Sequence, residues 1–243
     1  MSREVRTILI VDGSAAALFD IGMLLRRLEY RVETARNAEE ALRKMEDAGP
    51  SIVLTEIALP TMSGINFLKR MKDHPHLKTI PVVMVTSETD DRMRDTCIRM
   101  GCAAYLCKPV EPDILYRTIQ AVSESVPRAN IRLKTSLTVI VGDGTAMGGA
   151  ERTESAIALS EGGLYVRTLY PQPQKAITPV RILLPGREIR AKAVVLYSYA
   201  TAAGPYKEPG MGMQFIEMPD EDRNAVKAFI RAQLTRDIMT FEK

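Results

Sequence analysis

Asp12, Glu56, Thr86 and Lys108 are the residues of the first half of the chain whose types and places could do chemistry together. Each stands at the end of a short apolar run, at residues 8–11, 52–54, 81–85 and 103–107. Two acids, a hydroxyl and an ammonium brought to one edge suit a metal-assisted phosphoryl group. The lysine neutralises phosphate oxygens and the hydroxyl donates a hydrogen bond. Glu56 alone would read as a solvated acid closing a strand, and its three polar counterparts at equivalent positions change that reading.

The elements that must position these groups follow from periodicity. Ile52, Val53 and Leu54 form an apolar run that fits a buried strand of a parallel sheet. Pro60 and Gly64 then mark a loop, and a helical pattern starts at Ile65 with Phe67, Leu68 and Met71 on one face. Ser14 is an N-cap for a helix faced by Leu18, Ile21, Leu25 and Leu28. Further helices are predicted over residues 38–48, 90–100 and 112–122, and a fifth strand over 31–35. Five strands alternating with five helices imply a parallel sheet covered on both faces. In such sheets ligands gather beyond the carboxyl ends of the strands, where the four residues fall.

Composition narrows the function classes. A chain of 243 residues with 46% hydrophobic and 26% charged residues can build one large or two ordinary globular domains. The net charge of +3 is too slight to argue for nucleic acid or a membrane surface. Cys97, Cys102 and Cys107 are odd in number and form no CxxC pair, so reduced thiols are expected. No apolar run approaches the length of a membrane span, and the opening M-S-R-E-V-R-T does not read as a signal peptide. A cytoplasmic protein without membrane insertion is the expectation. No nucleophile–base set, metal cluster or phosphate-cradling glycine loop appears, so neither an enzyme nor a metal protein is expected. His74 and His76 flank Pro75 in a helix-end loop and are expected to face solvent.

Taken with V-D-G near the start, A-L-P-T-M-S-G after the central strand and Y-L-C-K-P at the fifth, these residues resemble a response-regulator receiver domain over residues 1–125. The resemblance implies the flavodoxin-like doubly wound sheet. It makes Thr86 the switch hydroxyl, Lys108 the invariant lysine, Tyr105 the aromatic switch position and Asp12 the first acid of the usual pair. Two positions depart from the pattern: Gly13 replaces the second, metal-holding Asp, and Glu56 replaces the phosphoaccepting Asp. Magnesium draws its near-octahedral ligands from carboxylates, phosphate and water, and Gly13 removes one carboxylate. Glu56 is one methylene too long for the same in-line attack, and a displacement near 1 Å can cost about 100-fold in rate. The expectation is a degenerate receiver that does not take phosphate in the usual way. Glu56 would either imitate the phosphorylated state, with one charge where a phosphoryl group carries about 1.5 to 2, or be an inert remnant paired with Lys108.

From residue 127 the texture changes to short apolar strands punctuated by Gly and Pro. They are predicted over 155–160, 164–168, 176–184, 188–197 and 211–216, with Leu137, Val139 and Val141 alternating before them. A loop containing Pro205 and Pro209 precedes the last strand. A final helix opens on Asp220, Glu221 and Asp222 and carries Val226, Ile230, Leu234 and Ile238 every fourth residue, with Phe229 beside them. Arg128 and Arg132 carry R-x-x-x-R, followed by A-L-S-E-G-G over 158–163 and G-M-G-M-Q-F-I-E-M-P-D-E-D from Gly210. Together these resemble a PilZ domain over residues 126–243, joined by a linker at about 123–134.

That second resemblance implies a six-stranded β-barrel with a C-terminal helix and cyclic di-GMP as ligand. Arg128, Arg132, Ser160 and Gly163 match the family motif, while Ala158 stands where Asp or Asn is expected. Guanidinium groups grip phosphates bidentately and stack on bases, and the hydroxyl and glycine would complete a guanine pocket. One unmet polar partner costs about 1–3 kcal/mol, or about 5- to 150-fold in affinity. The whole reads as a two-domain signalling protein that couples cyclic di-GMP to one or more signalling, polar or motility proteins. A nucleotide-independent scaffold is the alternative. For a homodimer, the receiver's last helices and the terminal helix are both candidate surfaces.

Overall fold

The central runs of aliphatic residues in the first half form strands covered on both faces. In the computed structural model, which describes residues 6–47, 49–125, 127–201, 204 and 206–238, β1 (Thr7–Val11), β3 (Ile52–Thr55) and β4 (Val82–Thr86) are buried almost throughout. β2 (Arg31–Ala35) and β5 (Ala104–Cys107) lie at the edges and alternate with solvent. The sheet is parallel with order β2-β1-β3-β4-β5, as expected of a flavodoxin-like receiver. Between the strands run α1 (Ala15–Arg27), α2 (Ala38–Asp47), α3 (Gly64–Asp73), α4 (Asp91–Arg99) and α5 (Pro112–Ser123). Ala48, Val126 and Pro205, which the sequence reading placed in a helix, at a domain start and in a loop, lie outside the described residues.

Local chemistry sets the helix starts. Ser14 accepts from the Ala17 N–H at 3.3 Å, Ser63 from Asn66 at 3.3 Å and Asp90 from Arg92 at 2.9 Å, so each first turn has a side-chain cap. Pro112 opens α5, where its missing N–H costs nothing. α5 ends at Ser123, four residues before Pro127, so that proline does not terminate it. Instead Glu124 turns to extended backbone, and its carboxylate pairs with Arg6 at 3.0 Å. Phe67, Leu68, Met71 and Met84 lie fully buried in the core on one side of the sheet. Burying a side chain of this size contributes about 1.5–3 kcal/mol.

The second half is all antiparallel until its end. β6 (Leu133–Val141), β7 (Arg152–Ser160), β8 (Gly163–Arg167), β9 (Ile177–Leu184), β10 (Arg187–Tyr199) and β11 (Gly210–Glu217) close a barrel in the order β10-β11-β8-β7-β6-β9. Closure leaves no unpaired edge. A bulge between Ala156 and Ala158 shifts the phase of β7 by one residue. Ala156 and Leu159 therefore both face the core, and Ala158 and Ser160 share the opposite face. The barrel has two ends: one carries the start of β6, the β7–β8 turn and the end of β11, and the other the long β6–β7, β8–β9 and β10–β11 loops. α6 (Asp220–Thr235) follows, and its Asp222 accepts from Arg187 at 2.7 Å and from the Arg190 N–H at 3.1 Å. Compact units change hands between Ala129 and Asn130, placing Arg128 in the first and Arg132 in the second.

Candidate functional site

Asp12, Glu56, Thr86 and Lys108 converge at the carboxyl end of the parallel sheet, as their strand-end positions required. Lys108 Nζ donates to Asp12 Oδ2 at 2.5 Å and to Glu56 Oε2 at 2.7 Å. The Thr86 hydroxyl donates to Glu56 Oε1. Backbone N–H groups of Ile57 (2.7 Å), Ser87 (3.3 Å) and Ala58 (3.4 Å) supply three further donors to the same carboxylate. Asp12 also accepts from the Ser14 N–H at 2.8 Å. The loop after Glu56 must double back for this, and Gly64 allows it. A Cβ at Gly64 would lie 2.2 Å from the Glu56 carbonyl oxygen, so no side chain fits.

Burial is nearly complete, with Asp12 4% and Glu56 7% exposed. Burial pushes the Glu56 pKa up, but the bonds from Lys108 and Thr86 outweigh it and hold the carboxyl below its ordinary range. Burial likewise works to lower the pKa of Lys108, and its bonds to Asp12 and Glu56 raise it above the usual value instead. Tyr105, buried on β5, donates to the Glu88 carbonyl at 2.9 Å. Burial, with nearby thiols and acids, pushes its pKa up to about 12, so it remains a neutral donor.

A divalent ion does not fit these residues. Gly13 offers no oxygen, and a Cβ there would meet the Pro60 ring at 3.1 Å. Both remaining carboxylates are already bound by the Lys108 ammonium, and no group of three His, Cys, Asp or Glu able to hold a metal occurs among the described residues. Magnesium would have to displace an ammonium and find its other ligands in water. His74 and His76 are exposed, and Cys97 and Cys102 are buried free thiols, with Cys107 exposed.

On the barrel, Ser160 and Gly163 form the two ends of a tight β7–β8 turn. The Ser160 hydroxyl donates to the Gly163 carbonyl at 3.0 Å, and a Cβ on Gly163 would lie 2.1 Å from the Met213 carbonyl oxygen. Both residues thus have a structural role beside any contact with a ligand. Leu133 pairs with Leu159, so one step further along the register Arg132 comes beside Ser160. Asn130, which sequence reasoning passed over, lies against the same turn, its Nδ2 2.9 Å from where a Gly162 Cβ would be. Ala158 is buried and shares a row with Lys134 and Tyr165, adding no polar group. Arg128 and Arg132 are exposed, and neither guanidinium has a hydrogen bond or ion pair among the described residues. Free guanidinium forks of this kind can take phosphate oxygens in pairs.

Sequence reasoning also missed a tyrosine group at the far end of the barrel. Tyr165 and Tyr206 have ring centroids 4.6 Å apart, and Tyr197 and Tyr199 are 5.7 Å apart. Tyr197 reaches over Gly212, its registered partner, where a Cβ would sit 2.3 Å from the ring. The G-M-G alternation was the available signal: small residues on one face of a strand leave room for rings from the next.

Comparison with known proteins agrees with this architecture. Residues 8–120 match the response regulator receiver domain model, and residues 126–232 match the PilZ domain model. The two-component response regulator ORR3 of Oryza sativa subsp. indica is 34% identical over 116 residues, 47% of this chain and 88% of that protein. The response regulator-like PRR37 of Oryza sativa subsp. japonica is 34% identical over 117 residues, 47% of this chain and 16% of that one. Among solved structures, the chemotaxis response regulator CheY4 of Vibrio cholerae aligns at 29% identity and a TM-score of 0.47, covering 49% of this chain and 99% of that one. The chain belongs to the response-regulator receiver family and carries a PilZ domain behind its receiver, two non-catalytic signalling modules in one polypeptide.

Proposed function

We propose that this protein is a cytoplasmic cyclic di-GMP effector whose receiver passes the signal to a partner protein without being phosphorylated. The observation that carries the ligand half is the pair of guanidinium groups of Arg128 and Arg132, unengaged among the described residues, with Arg132 beside the Ser160–Gly163 turn. A dianionic cyclic dinucleotide offers two phosphates for two forks, and its guanine bases offer faces for stacking. A ligand gripped by these side chains would restrict residues 127–132, which belong to neither helix nor strand, and so change the surface shown to a partner.

The receiver half rests on Glu56. Its carboxylate already holds the switch hydroxyl of Thr86 and the ammonium of Lys108, the contacts a phosphoryl group would otherwise attract. The receiver then keeps one engaged state and acts as a docking module.

The test is calorimetric titration of the full chain with cyclic di-GMP, wild type against Arg128→Ala combined with Arg132→Ala. Binding by wild type and loss of at least 100-fold in the double variant are expected, since each charge-assisted hydrogen bond contributes about 1.5–3 kcal/mol. Equal heats from both proteins, or none from wild type, sink the ligand half. Buried, apolar Ala158 supports the second reading, a nucleotide-independent scaffold. A partner captured equally well with and without cyclic di-GMP is the result that reading requires.

A further inference from the structure

Gln120 is a buried amide that neither site uses. It is 1% exposed on the inner face of α5, among Leu115, Tyr116 and Ile119. A carboxamide there carries a desolvation penalty unless both of its ends are bonded. Both are: Nε2 donates to the Tyr30 hydroxyl at 2.8 Å, and Oε1 accepts the backbone N–H of Arg128 at 3.1 Å. One turn further, Glu124 closes α5 and forms a two-pronged ion pair with Arg6 at 3.0 and 3.2 Å. Residues 127–132 belong to neither helix nor strand, so a side chain of the receiver, and not a backbone ladder, holds the Arg128 amide.

We infer that Gln120 is a positioning residue for Arg128: it fixes the backbone of the first ligand-gripping arginine to the receiver's last helix and so couples ligand occupancy to the packing of that helix. This rests on the cyclic di-GMP reading above. A backbone already held in place loses less freedom when a ligand immobilises its side chain, so the free protein is preorganised. Coupling of this kind is reciprocal: what the bracket adds to ligand affinity, the ligand returns to the bracket. A glutamine serving only Tyr30 would stabilise α5 and leave affinity at the arginine untouched.

Calorimetry on the full chain separates the two. Titrations with cyclic di-GMP would compare wild type, Gln120→Leu, Arg128→Ala and the double variant. Gln120→Leu is expected to weaken binding about tenfold, which is about 1.4 kcal/mol, and to add nothing once Arg128 is alanine. Gln120→Glu retains an acceptor for the Arg128 N–H and should recover most of the loss. Unchanged affinity in Gln120→Leu overturns the inference, and so does equal weakening in both backgrounds. Amide hydrogen exchange on the ligand-free wild-type chain reads the bracket without any variant. The Arg128 amide should exchange far more slowly than that of Ala129, and equal rates overturn the bracket. A wild type that does not bind cyclic di-GMP overturns both the ligand reading and the coupling, and the exchange result then shows whether the bracket itself exists.

Discussion

Around Glu56 the charges are answered from within the chain, whereas at Arg128 and Arg132 none is among the described residues. The contrast follows from burial. Asp12 and Glu56 are buried and Lys108 is partly buried against them, and an unpaired charge on either acid would cost several kcal/mol, so the fold can keep them only as a satisfied network. The two arginines stand in water, which solvates them at no structural cost and leaves their donors open. Within one chain, the more ordered charge cluster is the less able to respond to a ligand, and the sparser one is better placed to receive it.

The comparison breaks most decisively if the receiver site can be reopened. Glu56→Asp with Gly13→Asp restores the acidic pair and the shorter acceptor. Incubation with an acyl phosphate and magnesium should then yield a phosphorylated species by mass spectrometry, where the unaltered chain yields none. Modification of the unaltered chain would remove the distinction between the two regions. The next largest effect is Lys108→Ala, which strands two buried carboxylates. It should lower receiver stability by about 3–5 kcal/mol in chemical denaturation. A loss below about 1 kcal/mol would place the trio in the class of weak surface pairs.

On the barrel, Ala158→Asp supplies the missing polar partner. Cyclic di-GMP affinity should rise by about 5- to 150-fold in calorimetry, and no gain would show that position 158 does not face the ligand. The smallest effect is on pH dependence. The Glu56 pKa is lowered on folding, so its contribution to stability is fully present above the unfolded value of 4.5 and is lost as pH falls through the lower folded value. Lys108, whose folded pKa is raised, contributes fully below 10.5 and loses that contribution only as pH climbs through its folded value. Denaturation midpoints should therefore be insensitive to these two groups between pH 5 and pH 10 and fall on the acid side, and Glu56→Gln should flatten that acid limb.

Much of the receiver was legible because its signals are local. Apolar runs ending in Asp12, Glu56, Thr86 and Lys108 already imply convergence, since parallel strands bring their carboxyl ends to one edge. The barrel was readable as strands, but the bulge at residue 157 was not. A one-residue phase shift depends on what the neighbouring strands bury, and alternation in a single sequence does not record it. Gln120 was hidden for a related reason. In sequence it is one polar residue on an apolar helix face, and its two partners lie 90 residues before it and 8 after.

The sequence by itself determined the order of elements, the two modules and the identities of the charged groups, because periodicity, caps and turn residues act over a few neighbours. Only the tertiary structure decided which of those charges are spent on one another and which stay open. Whether a carboxylate or a guanidinium needs a partner depends on how much water the surrounding fold leaves it, and that is set by packing between segments distant in the chain.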